Sequence, residues 1–540
     1  MPTVNLNKKQ FETLVGKSLE LDKLRDRISM LGTDLESIEG NEITVEIFPN
    51  RPDMLSEQGF ARAFSSFIGI KKGLREYTAK KSNYEIIIDP SVKKVRPYTA
   101  CAVVKNLKFN DENLKSIIQL QEKLHTSYGR NRRKVAIGVY PLEKIKFPID
   151  YLALPPEKIK FTPLEYSEVM NAMQILTKTN TGREFAHLLE KETLYPIFRD
   201  KNNSILSMPP IINSNDSGKI TETTKDVFIE CSGFDLNSLK KCLNIIVTTL
   251  ADIGGVIYET KLKYKKPITT PDLKPEKIKL NTNYVNKILG LSLSEKEIKS
   301  LLEKMGFNYN KNEVSIPPYR ADILHEIDLI EDIAIAYGYE NFEETIPNVA
   351  TIGSESKLSK FKRKISEILI GLKFLETSTF SLSNKNNLNK KMNSKKGLTQ
   401  VESPVNSDYD TLRSWMLPSL MQVLNTNKHY EYPQELFEIG TIFEDIKESQ
   451  SLSIVKCEGN FTEIKQILDL LMSSLNLEYE IQEDNHSSFI EGRSGKIIIK
   501  EKNLGFLGEL SPEVITNWDL ELPVSALELN ISKLFKILNS

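Results

Sequence analysis

Two polar stretches, residues 76–95 and the Pro/Lys/Thr-rich 265–274, read as a connector and a linker between blocks of apolar periodicity. The chain has 540 residues, and a length of that order favours about three to five domains. Helical and strand periods alternate within the blocks, so the expected fold class is α/β and α+β multidomain. The expected divisions are an N-terminal α/β module over 1–75, a mixed domain over 96–265, a small module over 275–345 and a last domain over 355–540.

Within 1–75, Phe11, Leu14 and Val15 have helical spacing and Gly16 stops that helix; Leu24, Ile28 and Leu31 mark a second, ending near Gly32. Ile43, Val45 and Ile47 alternate with polar residues as a strand does. The rigid turn Phe48-Pro49-Asn50-Arg51-Pro52-Asp53 leads to a helix that Ser56 caps. Farther on, Ile117, Leu120 and Leu124 predict a helix, and Val135-Ala136-Ile137-Gly138-Val139 and Val227-Phe228-Ile229-Glu230-Cys231 predict strands. Ile205-Leu206-Ser207-Met208-Pro209-Pro210-Ile211-Ile212-Asn213 reads as an extended apolar run broken by two prolines. Ser294 and Glu297 form a capping box ahead of the apolar face Ile298, Leu301, Leu302 and Met305, and Gly306 ends that helix. Another helix is expected to start around Asp322. Residues 384–396, with Lys385, Lys390, Lys391, Lys395 and Lys396, read as a solvated loop.

Several chemistries lack their usual parts. The four cysteines, Cys101, Cys231, Cys242 and Cys457, form no CxxC pair, so reduced, buried thiols are expected. None of the five histidines, His125, His187, His325, His429 and His486, has an i, i+4 partner. There is no phosphate loop, dinucleotide fingerprint, Gly-x-Ser-x-Gly or His-Glu-x-x-His. The opening residues show no basic-then-apolar signal, and no apolar run approaches the length of a membrane span. A cytosolic chain without membrane contact is expected. The net charge of −1 leaves any RNA contact to local patches.

Two clusters carry candidate chemistry. Asp328, Glu331 and Asp332 share one helix face, with Asp322 just before. Converging carboxylates repel one another, and a hard divalent ion relieves that; capping and a solvated face are the alternatives. In the middle block, Ser207, Asn213, Ser214, Glu230 and Ser232 are polar residues among apolar ones. Buried, the Glu230 carboxyl needs a ligand, a cation or a donor; otherwise strand alternation points it to solvent. The runs Arg130, Arg132, Arg133, Lys134 near Tyr128, and Lys261, Lys263, Lys265, Lys266 near Tyr264, are weaker candidates for RNA contact.

Many segments resemble phenylalanyl-tRNA synthetase β subunits of the archaeal/eukaryotic type. They include Pro49-Asn50-Arg51-Pro52-Asp53-Met54-Leu55-Ser56, Gln121-Glu122-Lys123-Leu124-His125, Ser207-Met208-Pro209-Pro210-Ile211-Ile212-Asn213 and Phe228-Ile229-Glu230. The most specific block is Pro317-Pro318-Tyr319-Arg320-Ala321-Asp322-Ile323 with Asp328-Leu329-Ile330-Glu331-Asp332-Ile333. Leu412-Arg413-Ser414, Leu436-Phe437-Glu438-Ile439-Gly440 and Gly508-Glu509-Leu510-Ser511-Pro512-Glu513 extend the resemblance to nearly the whole chain.

The resemblance implies an α₂β₂ enzyme that joins phenylalanine to its tRNA with ATP, this chain being the partner of a catalytic α subunit. It implies a proofreading domain over 96–265 that hydrolyses misattached tyrosine, with Ser207, Asn213, Glu230 and Ser232 lining its pocket. It implies Mg²⁺ at Asp322, Asp328, Glu331 and Asp332. The 275–345 module resembles a winged helix, and 355–540 a class II synthetase core, an antiparallel sheet with helices, that has lost its active site. The chain departs from the family pattern at Ser403-Pro404 and at Ser511-Pro512-Glu513. The alternatives are a free-standing deacylase and a non-enzymatic nucleic-acid-binding scaffold.

Overall fold

The computed structural model describes residues 2–349 and 352–539, which fall into two compact units meeting in sequence at Ile346 and Pro347. In the first unit the N-terminal expectations appear in order. Helix Lys8–Val15 ends on Gly16 in the left-handed region, helix Leu21–Met30 precedes Gly32, and Glu42–Glu46 is the central strand of a three-stranded sheet. Ser56 caps helix Glu57–Phe67 by accepting from the Gly59 N–H at 3.1 Å.

The centre of this unit is a ten-stranded sheet. Strand Val227–Gly233 runs antiparallel between Tyr98–Lys105 and Val135–Pro141. Its two faces are both covered, which removes the solvent that alternation alone would allow. Val227, Ile229 and Cys231 pack with Leu239, Cys242 and Leu243 of helix Leu236–Asp252. Phe228, on the face it shares with Glu230, packs with Cys101, Val103 and Tyr140.

Residues 80–88 are not merely a polar connector. They form strand Lys80–Ile88, paired in parallel with Val256–Lys263 and Ile149–Leu154, because Tyr84, Ile86 and Ile88 present one apolar side. The 265–274 stretch likewise contributes strand Ile268–Thr270 to the same sheet. The proline run Pro209-Pro210 is the turn of a hairpin that sets Ser207 directly opposite Asn213.

Farther along, strands Glu276–Lys279, Asn308–Asn310 and Glu313–Ile316 form a three-stranded sheet with helices Thr282–Leu289 and Glu295–Lys304. The helix expected to start around Asp322 begins at Glu326 instead. Arg320 holds Asp322 in the preceding loop, and Asp328 closes the helix start by accepting the Leu324 and His325 N–H groups at 2.8 Å.

The second unit carries a seven-stranded sheet, antiparallel except where Leu375–Glu376 joins Gln434–Glu444. Helices Lys357–Gly371, Phe461–Ser474 and Ile531–Asn539 supply Ile365, Leu468 and Leu534 to its core. Among the described residues no helix is long and apolar enough to cross a membrane, and all four cysteines are buried free thiols.

Candidate functional site

Glu230 lies at the middle of its strand, directly opposite Gly138 on one side and Cys101 on the other. Only 2% of the residue is exposed. Its Oε1 accepts weakly from the Tyr140 hydroxyl at 3.3 Å, while its Oε2 is buried without a hydrogen-bond partner. Burial pushes the carboxyl up to about 8, against the opposing pull of the Arg96 guanidinium and of the Tyr140 and Ser232 hydroxyls. At neutral pH Glu230 is therefore mostly a carboxylic acid, able to donate as well as accept.

The Tyr140 hydroxyl is the hub that sequence reading missed. It stands 2.7 Å from Ser207 Oγ, 3.4 Å from Asn213 Oδ1 and 3.3 Å from Glu230 Oε1. Its single proton serves one acceptor at a time, and Ser207 is the shortest. Ser207, Asn213 and Glu230 line a cavity of about 300 Å³ that also includes Gln121, His125 and Arg132. Ser232 is not on that lining. It stands two residues beyond Glu230, where its hydroxyl accepts from Arg96 Nε at 3.1 Å. Arg96 also donates to the Ser232 carbonyl at 2.6 Å, so it anchors the strand behind the carboxyl.

The basic run at 130–134 is partly consumed in building this cavity. Arg132 donates to the Ile211 carbonyl at 2.8 Å and lies 4.3 Å over the Phe185 ring, which fixes the proline hairpin. His125 Nε2 accepts from the Ile137 N–H at 2.8 Å, so the ring holds its proton on Nδ1. Burial, opposed by Glu122, holds its pKa below the usual range. The one signal that could have found Tyr140 is its two-residue offset from Gly138 in a strand, which puts both on one face.

The four acidic residues meet at a second place in the same unit. Asp322, Asp328, Glu331 and Asp332 all line a cleft of about 300 Å³. Arg320, itself 2% exposed, takes Asp322 through Nε and Nη2 at 2.8 and 2.6 Å and Asp332 through Nη2 at 2.7 Å. Arg51 also lines the cleft but is matched by Asp53 in a two-pronged pair at 2.9 Å. Burial raises the Asp332 carboxyl, with Arg320 and Arg51 opposing. Among the described residues, no three His, Cys, Asp or Glu side chains are gathered closely enough to hold a metal ion as they stand. The donor chemistry suits a hard cation, with more carboxylates than cations. Ligation by all four would require Asp322 and Asp332 to turn away from Arg320.

Comparison with known proteins identifies the family. A family model for the phenylalanyl tRNA synthetase beta chain CLM domain matches residues 342–531, and one for the tRNA synthetase B5 domain matches 278–339. The phenylalanine–tRNA ligase beta subunit of Pyrococcus horikoshii is 39% identical over 556 residues, covering 99% of this chain and 100% of that one. The corresponding protein of Archaeoglobus fulgidus is 40% identical over 546 residues, covering 99% of each. The crystal structure of an N-terminal fragment of the phenylalanyl-tRNA synthetase beta-subunit from Pyrococcus horikoshii superimposes with a TM-score of 0.60 at 39% identity. It covers 62% of this chain and 99% of the fragment. Sequence kinship over the full length and a shared mixed α/β multidomain fold lead to one conclusion: the chain belongs to the family of phenylalanine–tRNA ligase beta subunits.

Proposed function

We propose that this ligase subunit carries a proofreading pocket, formed around Glu230, that removes tyrosine misattached to the phenylalanine tRNA. The observation that carries the proposal is a buried carboxyl with one oxygen unpartnered, lining a cavity beside the Ser207 and Asn213 side chains. Such a group is costly to bury unless something completes it. The phenol of a tyrosyl group does so, sharing a hydrogen bond with Glu230 Oε2. A phenylalanyl group leaves the same atom unsatisfied, so the pocket favours the wrong amino acid over the right one. This discrimination complements a synthetic site, since an apolar pocket rejects an added hydroxyl poorly.

Tyr140 and Ser207 hold Oε1 and the facing hairpin in place, and Asn213 adds a second acceptor near the hub. Ser232 acts behind the pocket by fixing Arg96. His125 offers no free lone pair for a general base, because the Ile137 N–H occupies Nε2 and Nδ1 bears the proton. Activation of the attacking water then falls to the terminal hydroxyl of the tRNA.

The rest of the proposal follows the family. A catalytic α subunit, in an α₂β₂ assembly, activates phenylalanine with ATP, and this chain's second unit supports assembly and tRNA placement in the cytoplasm. Mg²⁺ would be held at the cleft by Asp328 and Glu331, with Asp322 and Asp332 released from Arg320. The ion would supply charge neutralisation there.

The decisive experiment is Glu230→Ala in the assembled enzyme, followed by hydrolysis of Tyr-tRNA. Hydrolysis should fall by about a hundredfold, the scale of one hydrogen bond to a buried group, with phenylalanylation intact. Unchanged hydrolysis would show that tyrosine is not read by Glu230. Full hydrolysis by the chain without any partner would favour a free-standing deacylase.

A further inference from the structure

The lysine-rich stretch after Asn384 is not a plain solvated loop. It winds through a π-helical turn, Asn386–Lys390, and folds back to line a cavity of about 710 Å³ in the second unit. From Glu376 to Glu402 the chain contains no other acidic residue, yet five lysines fall between them. Lys385, Lys390, Lys395 and Lys396 all line the groove, and no carboxylate does. None of the four is in an ion pair among the described residues.

Two details show a built surface rather than loose side chains. The Lys396 ammonium is held 4.2 Å over the Trp415 ring and 5.5 Å from that of Phe506, and the neighbouring Lys391 lies 4.4 Å over Trp518. Aromatic faces attract these cations without cancelling their charge. Burial holds the Lys396 ammonium below the usual lysine range despite the fields of Glu528 and Glu444, so an added anion would relieve it. The second detail is Asn389. Its Nδ2 donates to the Lys396 carbonyl at 2.9 Å, which folds the lysine stretch back on itself along the groove. A groove lined by lysines without ion pairs suits a polyanionic ligand.

We infer, building on the tRNA placement proposed for this unit, that this groove binds the backbone of an RNA strand, its lysines against consecutive phosphates. Lysines as flexible point charges, with amides beside them, are what sequence-independent backbone contact uses. A planar carboxylate partner would favour arginine forks instead, and the groove has none. The chain as a whole is nearly neutral, at −1, so this patch is a local footprint rather than part of a general basic surface. The inference stands apart from the proofreading pocket, which lies in the other unit.

The test is the triple variant Lys385→Glu, Lys390→Glu, Lys395→Glu in the enzyme assembled with its catalytic subunit. Lys396 is left alone because of its ring contacts. A control with the same charge change, Lys447→Glu, Lys500→Glu, Lys533→Glu, places it on exposed lysines of the same unit. Binding of an unacylated phenylalanine tRNA transcript is measured across a salt series. The groove variant should bind about tenfold or more weakly near physiological salt, and its log–log salt slope should flatten by about two to three. The control should match wild type. Equal slopes in the groove and control variants would overturn the inference. Loss of the catalytic subunit with RNA binding unchanged would also overturn it, and would assign the groove to an acidic protein surface. If the reversed charges prevent folding, the same three positions as Gln provide the comparison, with a smaller flattening expected.

Discussion

Gly138 faces Glu230 directly across the antiparallel ladder, and a Cβ at Gly138 would stand 2.7 Å from the Glu230 carboxyl and 2.2 Å from the Tyr140 hydroxyl. The missing side chain is what gives these two polar groups room to meet. Gly138→Ala should therefore force Tyr140 or Glu230 out of position, at an overpacking cost of about 1–3 kcal/mol. Thermal unfolding reads that cost. Tyr-tRNA hydrolysis by the assembled enzyme should fall with it, while phenylalanylation persists. Wild-type hydrolysis in this variant would mean that the reaction does not use the space beside Gly138.

A second expectation concerns pH. Glu230 titrates near 8 in the folded chain against 4.5 for the ordinary group. Between those values the folded chain keeps a proton that the unfolded chain releases. The stabilisation is complete below about 4.5 and is lost as pH rises toward 8. Its ceiling is roughly 5 kcal/mol. Glu57, pushed up to about 7 by burial, gives a slope of the same sign. The measurement is therefore a difference: the melting temperature of wild type relative to Glu230→Gln should decline from pH 5.5 to 8.5. A constant difference would show that Glu230 is ionised throughout.

Local structure was legible wherever one segment carried its own signal. Ser294 and Glu297 do form the capping box, with the Ser294 N–H donating to Glu297 Oε2 at 2.7 Å, and Gly306 follows the helix in the left-handed region. Ser294→Ala should accordingly cost about 1 kcal/mol, read by urea unfolding. The site was only partly legible, because its decisive contacts join distant segments. Ser207, Asn213 and Glu230 stood out as polar residues in apolar strands. Tyr140 did not, since its role depends on a residue of the facing strand 90 positions away in sequence. Nor does alternation reveal that the face carrying Phe228 and Glu230 lies in an apolar cluster with Tyr151, Phe198 and Leu206 rather than at solvent. A charge run such as the lysine stretch likewise shows its concavity only once the backbone folds back.

Arg320 is the internal counter-ion of the acidic cleft, and its removal should be severe. Arg320→Met keeps much of the volume but leaves Asp322 and the buried Asp332 facing each other without a cation. Breaking a buried pair in this way typically costs about 3–5 kcal/mol. The loss should be larger at neutral pH than in acid, where the Asp332 carboxyl, already raised by burial, takes up its proton. Near-wild-type unfolding would mean that these carboxylates do not depend on Arg320.

Magnesium offers the sharpest division between ion ligation and a solvated acidic face. The cleft sets four carboxylates against Arg320, since Arg51 is already matched by Asp53. The excess negative charge should attract a divalent ion, and an ion bound only by the folded state raises the melting temperature as its concentration rises. Glu331 is the residue to change, because it is exposed and no hydrogen bond or ion pair ties it among the described residues. Glu331→Gln should leave the melting temperature in chelator unchanged within about 0.5 kcal/mol. It should reduce the rise produced by millimolar Mg²⁺ and shift the titration to higher concentration. Potassium at matched ionic strength is the control, since screening alone would act on both proteins alike. An identical Mg²⁺ response in wild type and variant would remove Glu331 from the ligand set and return the helix face to solvent.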